Sequence, residues 1–475
     1  MMKKGEITID TELLQQISAE QAWHYLICPK LITGSSMSFY CSSEANRDSL
    51  SLELGVLFGK TITLETVSNE ILQRTISKYY IKNPSGSNSK TKLLKQDGFL
   101  DMIINEAYRI NSSDIHIEAS ENVGRVRLRV DGKLLEKFKI KKEDYPTLIN
   151  KIKIKANLDI AEKRLPQDGR IRLKNAENSQ DIRVSIVPSI NGEKIVLRLL
   201  RKTTTAVTLD DLGMNSLQIE AYKNCAKKSH GIILISGPTG SGKTTTLYAT
   251  LNLLNNKEVN ILTIEDPVEY TIEGITQVHL REDIGLTFSR ALRTFLRQDP
   301  DIIMLGEIRD NETSQMAVRA ALTGHLVLST IHTNSAWGII TRLLDMGIPP
   351  FLLASTINMA VAQRLVRKLC PNCRKEVVNS KSTNIPNTKF LLPKKYFEPL
   401  GCQLCNFTGY SGRIAAFEVV EITEELRNDI KTSRTEINEY MSFKGISKLS
   451  SSAYNLFCTG VTSFDEVFPL LSTDY

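Results

Sequence analysis

Cysteine and tryptophan are scarce in this chain, with eight and two respectively among 475 residues. No apolar run approaches the ~20 residues that a membrane-spanning helix needs. The longest local candidate, Ile232 to Ile235 in GIILISG, has the length of a buried strand. The opening MMKKGEITIDTELL lacks the apolar centre of an export signal. A cytoplasmic protein is therefore expected, one whose cysteines are not paired as disulfides. Charge of one sign is also missing in quantity: 60 basic against 53 acidic residues leave +7, a mild surplus that demands neither nucleic acid nor anionic lipid. Aromatic residues make up 7% and do not interleave with Lys and Arg as base-stacking platforms do. No direct nucleic-acid partner is expected, although a nucleic-acid motor or DNA-uptake ATPase is the rival from another functional class.

What is present excludes wholesale disorder: 41% of residues are hydrophobic and 24% charged. The length calls for two to four domains. NPSGSNSKTK at 83–92 cannot bury apolar surface and reads as a flexible linker. Residues 1–82 before it form a small N-terminal domain, in which helical segments such as EQAWHYL and SNEILQRTISKYY alternate with short apolar runs like LELGVLF. Residues 93–201 begin with helical spacing in LLKQDGFLDMIINEAYRI and continue in period-two alternation through SDIHIE and GRVRLRVDGKLLEKFKI, an α+β pattern with a tight-turn signal at Asp131-Gly132. A second linker is expected at 202–210. From 211 to 475 apolar strands alternate with helical stretches, which implies a parallel-rich sheet covered on both faces.

GPTGSGKT, Gly237 to Thr244, completes the G-x-x-x-x-G-K-[ST] pattern between a β-run and a helix. In such a loop backbone N–H groups curl around phosphate oxygens, Lys243 reaches the β and γ phosphates, and Thr244 offers a hydroxyl to Mg²⁺. The run DIIMLGEIRD ends at Glu307, at the carboxyl end of a strand where an acid faces the Mg²⁺ shell. TIEDPVEY holds Glu265, Asp266 and Glu269 after another β-run; Glu265, at the strand end, is the first candidate to orient or deprotonate water, a solvated acidic turn being the plain alternative. TGHLVLSTIHTN sets His325 and His332 on either side of a strand, where one could meet a γ-phosphate or both could be structural.

Half of the cysteines fall in two CxxC pairs, Cys370/Cys373 and Cys402/Cys405, with 28 residues between them. Each pair can grip one edge of a tetrahedron, so together they predict a closed Cys₄ structural zinc site. An iron–sulfur cluster is the main alternative. The insert between the pairs is polar, and a metal would offset the entropy of closing so long a loop. Cys28, Cys41, Cys225 and Cys458 lack such partners.

In order, GPTGSGKTTTLY, TIEDPVEY, LRQDPDIIMLGEIRD and TGHLVLSTIHTN resemble the Walker A, Asp-box, Walker B and His-box motifs of the secretion ATPase superfamily. The similarity extends upstream through SSDIHIE, RVDGKLL, RLPQDGRI and RVSIVPSINGEKIVLRLL, and downstream through CNFTGYSGRIAAFEVVEI and TGVTSFDEV. The branch it is most similar to is that of the type II secretion and type IV pilus assembly ATPases. This resemblance implies a RecA-like P-loop domain carrying a zinc subdomain at 368–410, preceded by a PAS-like α+β domain. It implies ATP bound along Gly237, Pro238, Thr239, Gly240, Ser241, Gly242, Lys243, Thr244 and Thr245. Glu265 would be the catalytic glutamate, Glu307 would act on Mg²⁺ through water, and His332 would contact the γ-phosphate. It further implies a homohexamer in which Arg170, Arg183 and Arg198 come from the domain over a neighbouring site, either to its nucleotide or into interface ion pairs. The implied partners are an inner-membrane platform protein and a docking protein, with membrane association peripheral and only through them. A retraction ATPase of the same class is the nearest rival, and the Cys₄ pairs argue against it.

Overall fold

The computed structural model describes residues 7–472 except 8, 10, 15, 18, 81–97, 176–177, 201–206, 380–384, 386–387, 389 and 435. The linker expected at 83–92 lies outside the described residues, as does most of the one expected at 202–210. The chain divides into two compact units: residues 1–201 with 370–373 and 400–410, and residues 202–369 with 374–399 and 411–475.

The first unit begins with a small sheet of β1 (Ile27–Ile32), β2 (Ser36–Ser42) and β3 (Thr61–Val67). β1 pairs antiparallel with β2, and β2 parallel with β3. A parallel pair needs a crossover, and the helix Arg47–Phe58 supplies it. LELGVLF, expected as a short apolar run between helices, is thus the second half of a helix. Asn46 caps its start by accepting from the Ser49 N–H at 3.3 Å, and Gly59 ends it at φ 63°. Leu50, Leu54 and Phe58, four apart, turn one face inward.

Next come β4 (Asp114–Ala119), β5 (Val123–Val130), β6 (Lys133–Lys141), β7 (Gln167–Asn175), β8 (Asn178–Ser189) and β9 (Gly192–Leu200), joined in the order β6-β5-β4-β9-β8-β7 with every pair antiparallel. Asp131 and Gly132, at φ 46° and 85°, close the β5–β6 hairpin in two residues. Alternation gives the sheet two faces. Ile115, Ile117, Val126, Leu128, Ile195 and Leu197 are fully buried against the helices Phe99–Arg109 and Tyr145–Lys155. The opposite face is charged. Arg170 stands across from Arg183, Arg183 from Arg198, Arg198 from Asp114, and Asp114 from Arg129, so the three arginines singled out in the sequence are neighbours in one rung.

The second unit is built on β10 (Gly231–Ser236), β11 (Ile261–Glu265), β12 (Thr276–His279), β13 (Ile302–Leu305), β14 (Leu326–Ile331) and β15 (Ile357–Leu369). β16 (Arg374–Val378) and β17 (Lys395–Pro399) form a separate hairpin, and β18 (Tyr410–Glu421) returns to the main sheet. The order is β12-β11-β13-β14-β10-β15-β18. The pairs β10/β14, β10/β15, β11/β12, β11/β13 and β13/β14 are parallel. Every residue of β10, β11, β13 and β14 is buried, as a sheet with cores on both faces requires. The fold class is accordingly α/β and parallel-rich, as the strand–helix alternation predicts.

On the charged face of the first unit, Glu118 is 8% exposed and receives Arg125 at 2.9 Å, Arg127 at 2.7 Å and Lys194 at 3.0 Å. Burial pushes its carboxyl up, and the three cations outweigh burial, holding it at about 2 against an ordinary 4.5. A depressed carboxyl contributes stability that is complete above the ordinary value and is lost as pH falls toward the folded one. Glu118→Gln should therefore cost up to ~2 kcal/mol at pH 7, after discounting for the solvent around the arginines. It should also flatten the acid limb of an unfolding-versus-pH series below about pH 4.5; an unchanged limb would remove Glu118 as its source.

Candidate nucleotide site and cysteine cluster

Parallel pairing with Ser236 opposite Ile331 and Leu305 opposite both Ile264 and Ser329 brings the carboxyl ends of β10, β11, β13 and β14 to one edge. There β10 runs into the glycine loop and the helix Lys243–Leu254. Gly237 sits at φ 153°, and a Cβ on it would meet Ser241 Oγ at 2.5 Å and the Gln363 carbonyl at 2.6 Å. A Cβ on Gly242, at φ 88°, would meet Gln363 Nε2 at 2.8 Å. Both positions therefore exclude any side chain. Pro238, Thr239, Gly240, Thr244 and Thr245 are exposed around the loop. Lys243 Nζ donates to the carbonyls of Gly237 at 2.8 Å and Pro238 at 3.2 Å. Burial lowers its pKa, Glu307 opposes that, and Arg364 adds to it. Ser241 Oγ is buried with no protein partner. An orphaned hydroxyl inside a glycine cradle beside an ammonium fits a polyphosphate, which supplies acceptors to each.

Glu307, just beyond β13, accepts from Arg309 Nε at 2.6 Å and lies 3.2 Å from His332 Nε2. Burial raises its carboxyl, but Arg309 and His332 together leave it below the ordinary range. His332, 51% exposed, sits just past the end of β14, on the same edge as the glycine loop. His325, at the other end of β14, instead places Nδ1 2.8 Å from the Ala320 carbonyl at the end of the helix Asn311–Leu322. Glu265 closes β11 and is 3% exposed. It accepts from the Tyr248 hydroxyl, from Thr263 Oγ1 at 2.6 Å and from Gln277 Nε2 at 3.2 Å. Asp266 and Glu269 are exposed. One edge thus gathers Lys243, Glu265, Glu307 and His332. Arg170, Arg183 and Arg198 belong to the other compact unit. There Arg198 Nε is 3.0 Å from Asp114 Oδ1, and Arg170 is exposed on the edge strand β7.

Three residues of the site carry little or no signal in the sequence. Gln363 on β15, 1% exposed, donates to the Ser241 carbonyl at 2.9 Å and accepts from Thr246 Oγ1 at 2.8 Å, fastening the glycine loop to its helix. Its one signal is an amide inside the apolar run INMAVAQRLV. Tyr248 and Gln277 hold Glu265 from a helix 17 residues before it and a strand 12 residues after it; Tyr248 closes the stretch GPTGSGKTTTLY, but nothing there says that it will face Glu265.

Among the described residues, the one group of three or more metal-ligating side chains is Cys370, Cys373, Cys402 and Cys405, whose sulfurs all lie within 4.8 Å of one another. The separations are 3.8 Å for Cys370–Cys402, 3.8 Å for Cys373–Cys405 and 3.7 Å for Cys402–Cys405. These are far beyond the ~2.05 Å of a disulfide. Four thiolates about 2.3 Å from one zinc stand roughly 3.8 Å apart, so the set fits a single tetrahedral ion. The backbone N–H groups of Gly401, Cys402 and Gly409 point at Cys373 and Cys405 sulfurs at 3.2–3.3 Å, which suits thiolates. A cluster that divides its cysteines among several irons would hold the sulfurs farther apart.

Residues 90–469 match the model of the type II/IV secretion system protein family. The chain belongs to this family. It is 47% identical over 371 residues to type II secretion system protein E of Pseudomonas aeruginosa, covering 78% of this chain and 74% of that one. It is 37% identical over 494 aligned residues to the type IV pilus assembly ATPase PilB of Myxococcus xanthus, covering 97% and 87%. Among solved structures, the Legionella pneumophila ATPase DotB matches with a TM-score of 0.59 at 22% identity over 82% of this chain and 98% of that one. The pilus retraction motor PilT with bound ADP matches at 0.53 and 24%, over 78% and 96%. At those identities the two structures speak for the shared fold.

The cysteine geometry leads to a direct test. Elemental analysis of the purified family member should find about one zinc per chain, and Cys402→Ser should lose it. Stripping the metal should lower the thermal midpoint, since metal affinity and folding of such a knuckle are one free energy. A zinc-free preparation of undiminished stability would end the structural-zinc assignment.

Proposed function

We propose that the chain is an ATPase that powers assembly of pilin or pseudopilin fibres, in type IV pilus biogenesis or type II secretion, as a homohexamer working through an inner-membrane platform protein. The observation that carries this is the meeting of a glycine phosphate loop with Glu265, Glu307 and His332 on one sheet edge. The extent of similarity to type II secretion protein E and PilB supports the machine. In this reading Gly237–Thr245 bind the phosphates, with Lys243 withdrawn from the carbonyls of Gly237 and Pro238 to neutralise them. Mg²⁺, when bound, would offset charge on the β and γ oxygens, and Thr244 and Glu307 are the residues that fit it. Glu265 orients and deprotonates the attacking water, and His332 donates toward the γ-phosphate.

Arg170, Arg183 and Arg198 would reach a neighbouring subunit's nucleotide as a rung of guanidinium groups, Arg170 being the exposed member and Arg198 already engaged by Asp114. Residues 1–82 would dock the machine's cytoplasmic or membrane-linked partner. Among the described residues no helix is long and apolar enough to cross a membrane, which agrees with peripheral attachment from the cytoplasmic side through partners. The zinc knuckle, with the β16–β17 hairpin between its two cysteine pairs, favours assembly over retraction.

ATP turnover by the purified chain, with mass analysis and with the platform protein added, tests this. Lys243→Ala should abolish turnover while the protein stays folded, and Glu265→Gln should lower kcat roughly 100-fold or more. Turnover that survives Lys243→Ala would refute the phosphate-loop role, and turnover that rises with DNA and falls steeply with salt would replace the proposal with the nucleic-acid motor.

A further inference from the structure

Arg364, on β15 directly after Gln363, lies between the two phosphate-side loops of the second unit. Its Nη1 donates to the Gln363 carbonyl at 3.0 Å, the same carbonyl that excludes a Cβ from Gly237. Its Nη2 reaches the Asn334 carbonyl at 3.4 Å and Asn334 Oδ1 at 3.3 Å, two residues beyond His332. Neutral oxygens are its partners: among the described residues no carboxylate comes within 4.0 Å of this guanidinium. The acid whose charge acts on it, Glu418, already accepts the Ala336 N–H at 2.8 Å and the Leu449 N–H at 3.0 Å. Arg364 is near enough for Lys243 to feel it as a like charge, and burial disfavours the charged form of both. Two half-buried cations facing a cradle with an orphaned Ser241 hydroxyl are an arrangement that a multivalent anion relieves.

We propose that Arg364 contacts the terminal phosphate of nucleoside triphosphate bound to its own chain, and that through Asn334 it ties that phosphate to the segment carrying His332. This rests on the ATPase reading. It adds an in-chain guanidinium to the arginines expected from a neighbour. A planar fork is well shaped for such a contact, because one edge stays on Gln363 and Asn334 while another meets phosphate oxygens.

The test compares binding of ADP and of a non-hydrolysable ATP analogue to the full-length chain, alongside turnover. Arg364→Gln should weaken the analogue about tenfold or more while leaving ADP within about twofold, because a charge-assisted contact is lost at the γ position alone. It should also lower kcat, and Arg364→Lys should recover part of the analogue's affinity. Asn334→Ala, which removes the side-chain tie and leaves the guanidinium, should keep the preference for the analogue over ADP. If Arg364→Gln binds both nucleotides as the parent does, or if Asn334→Ala reproduces its loss, Arg364 is a loop tie and the proposal fails. A parent chain that binds neither nucleotide would defeat the ATPase reading itself.

Discussion

Burial of β10, β11, β13 and β14 on both faces is the constraint from which the site follows. A strand with apolar neighbours above and below has nowhere to put ionic chemistry except its ends. Because these strands are parallel, their carboxyl ends fall on one edge, and each delivers something polar there: the glycine loop after β10, Glu265 at the end of β11, Glu307 after β13 and His332 after β14. Segments as far apart in sequence as Gly237 and His332 thereby meet without any one of them being a catalytic loop by itself.

The glycine loop is held from outside its own motif. Its conformation allows no Cβ at Gly237 or Gly242, and the atoms that forbid them belong chiefly to Gln363. That residue's amide also closes hydrogen bonds to Ser241 and Thr246. β15 lies beside β10 in the sheet, so the neighbouring strand also sets the shape of the phosphate cradle. A buried amide with both ends satisfied is rigid, and rigidity is what a cradle of fixed N–H donors needs.

The same division between local and long-range contacts decides what is legible in the chain without its fold. The phosphate loop, the acids after apolar runs and the paired cysteines are local patterns, each made by covalent spacing, and the sequence displays them. The strand–helix alternation announces the parallel sheet for the same reason. LELGVLF does not read as a helix because a short apolar run carries no period of its own. Its caps, Asn46 and Gly59, hold the decisive signal. Gln363, Tyr248, Gln277 and Arg364 act across the sheet, and nothing in their neighbours along the chain says what they will face. The rung of Arg170, Arg183 and Arg198 is intermediate: the residues are legible as basic positions, but their adjacency exists only once β7, β8 and β9 are in register.

The two carboxylates of the site differ in a way that bears on their division of labour. Glu307 is held by cations, Arg309 and His332, and remains open to solvent on one side. Glu265 is buried and held by neutral donors, the hydroxyls of Tyr248 and Thr263 and the amide of Gln277. Tyr248 itself is pushed far above its ordinary pKa by burial and by the adjoining carboxylate, so it stays protonated and keeps donating. An acid among cations is suited to remain ionised and meet a metal's water shell. An acid among neutral donors is held in place by hydrogen bonds alone, with Tyr248, Thr263 and Gln277 fixing the orientation of its oxygens. That contrast in surroundings is one that the proposed division, Glu265 to water and Glu307 to the metal side, uses without appeal to where either falls in a motif.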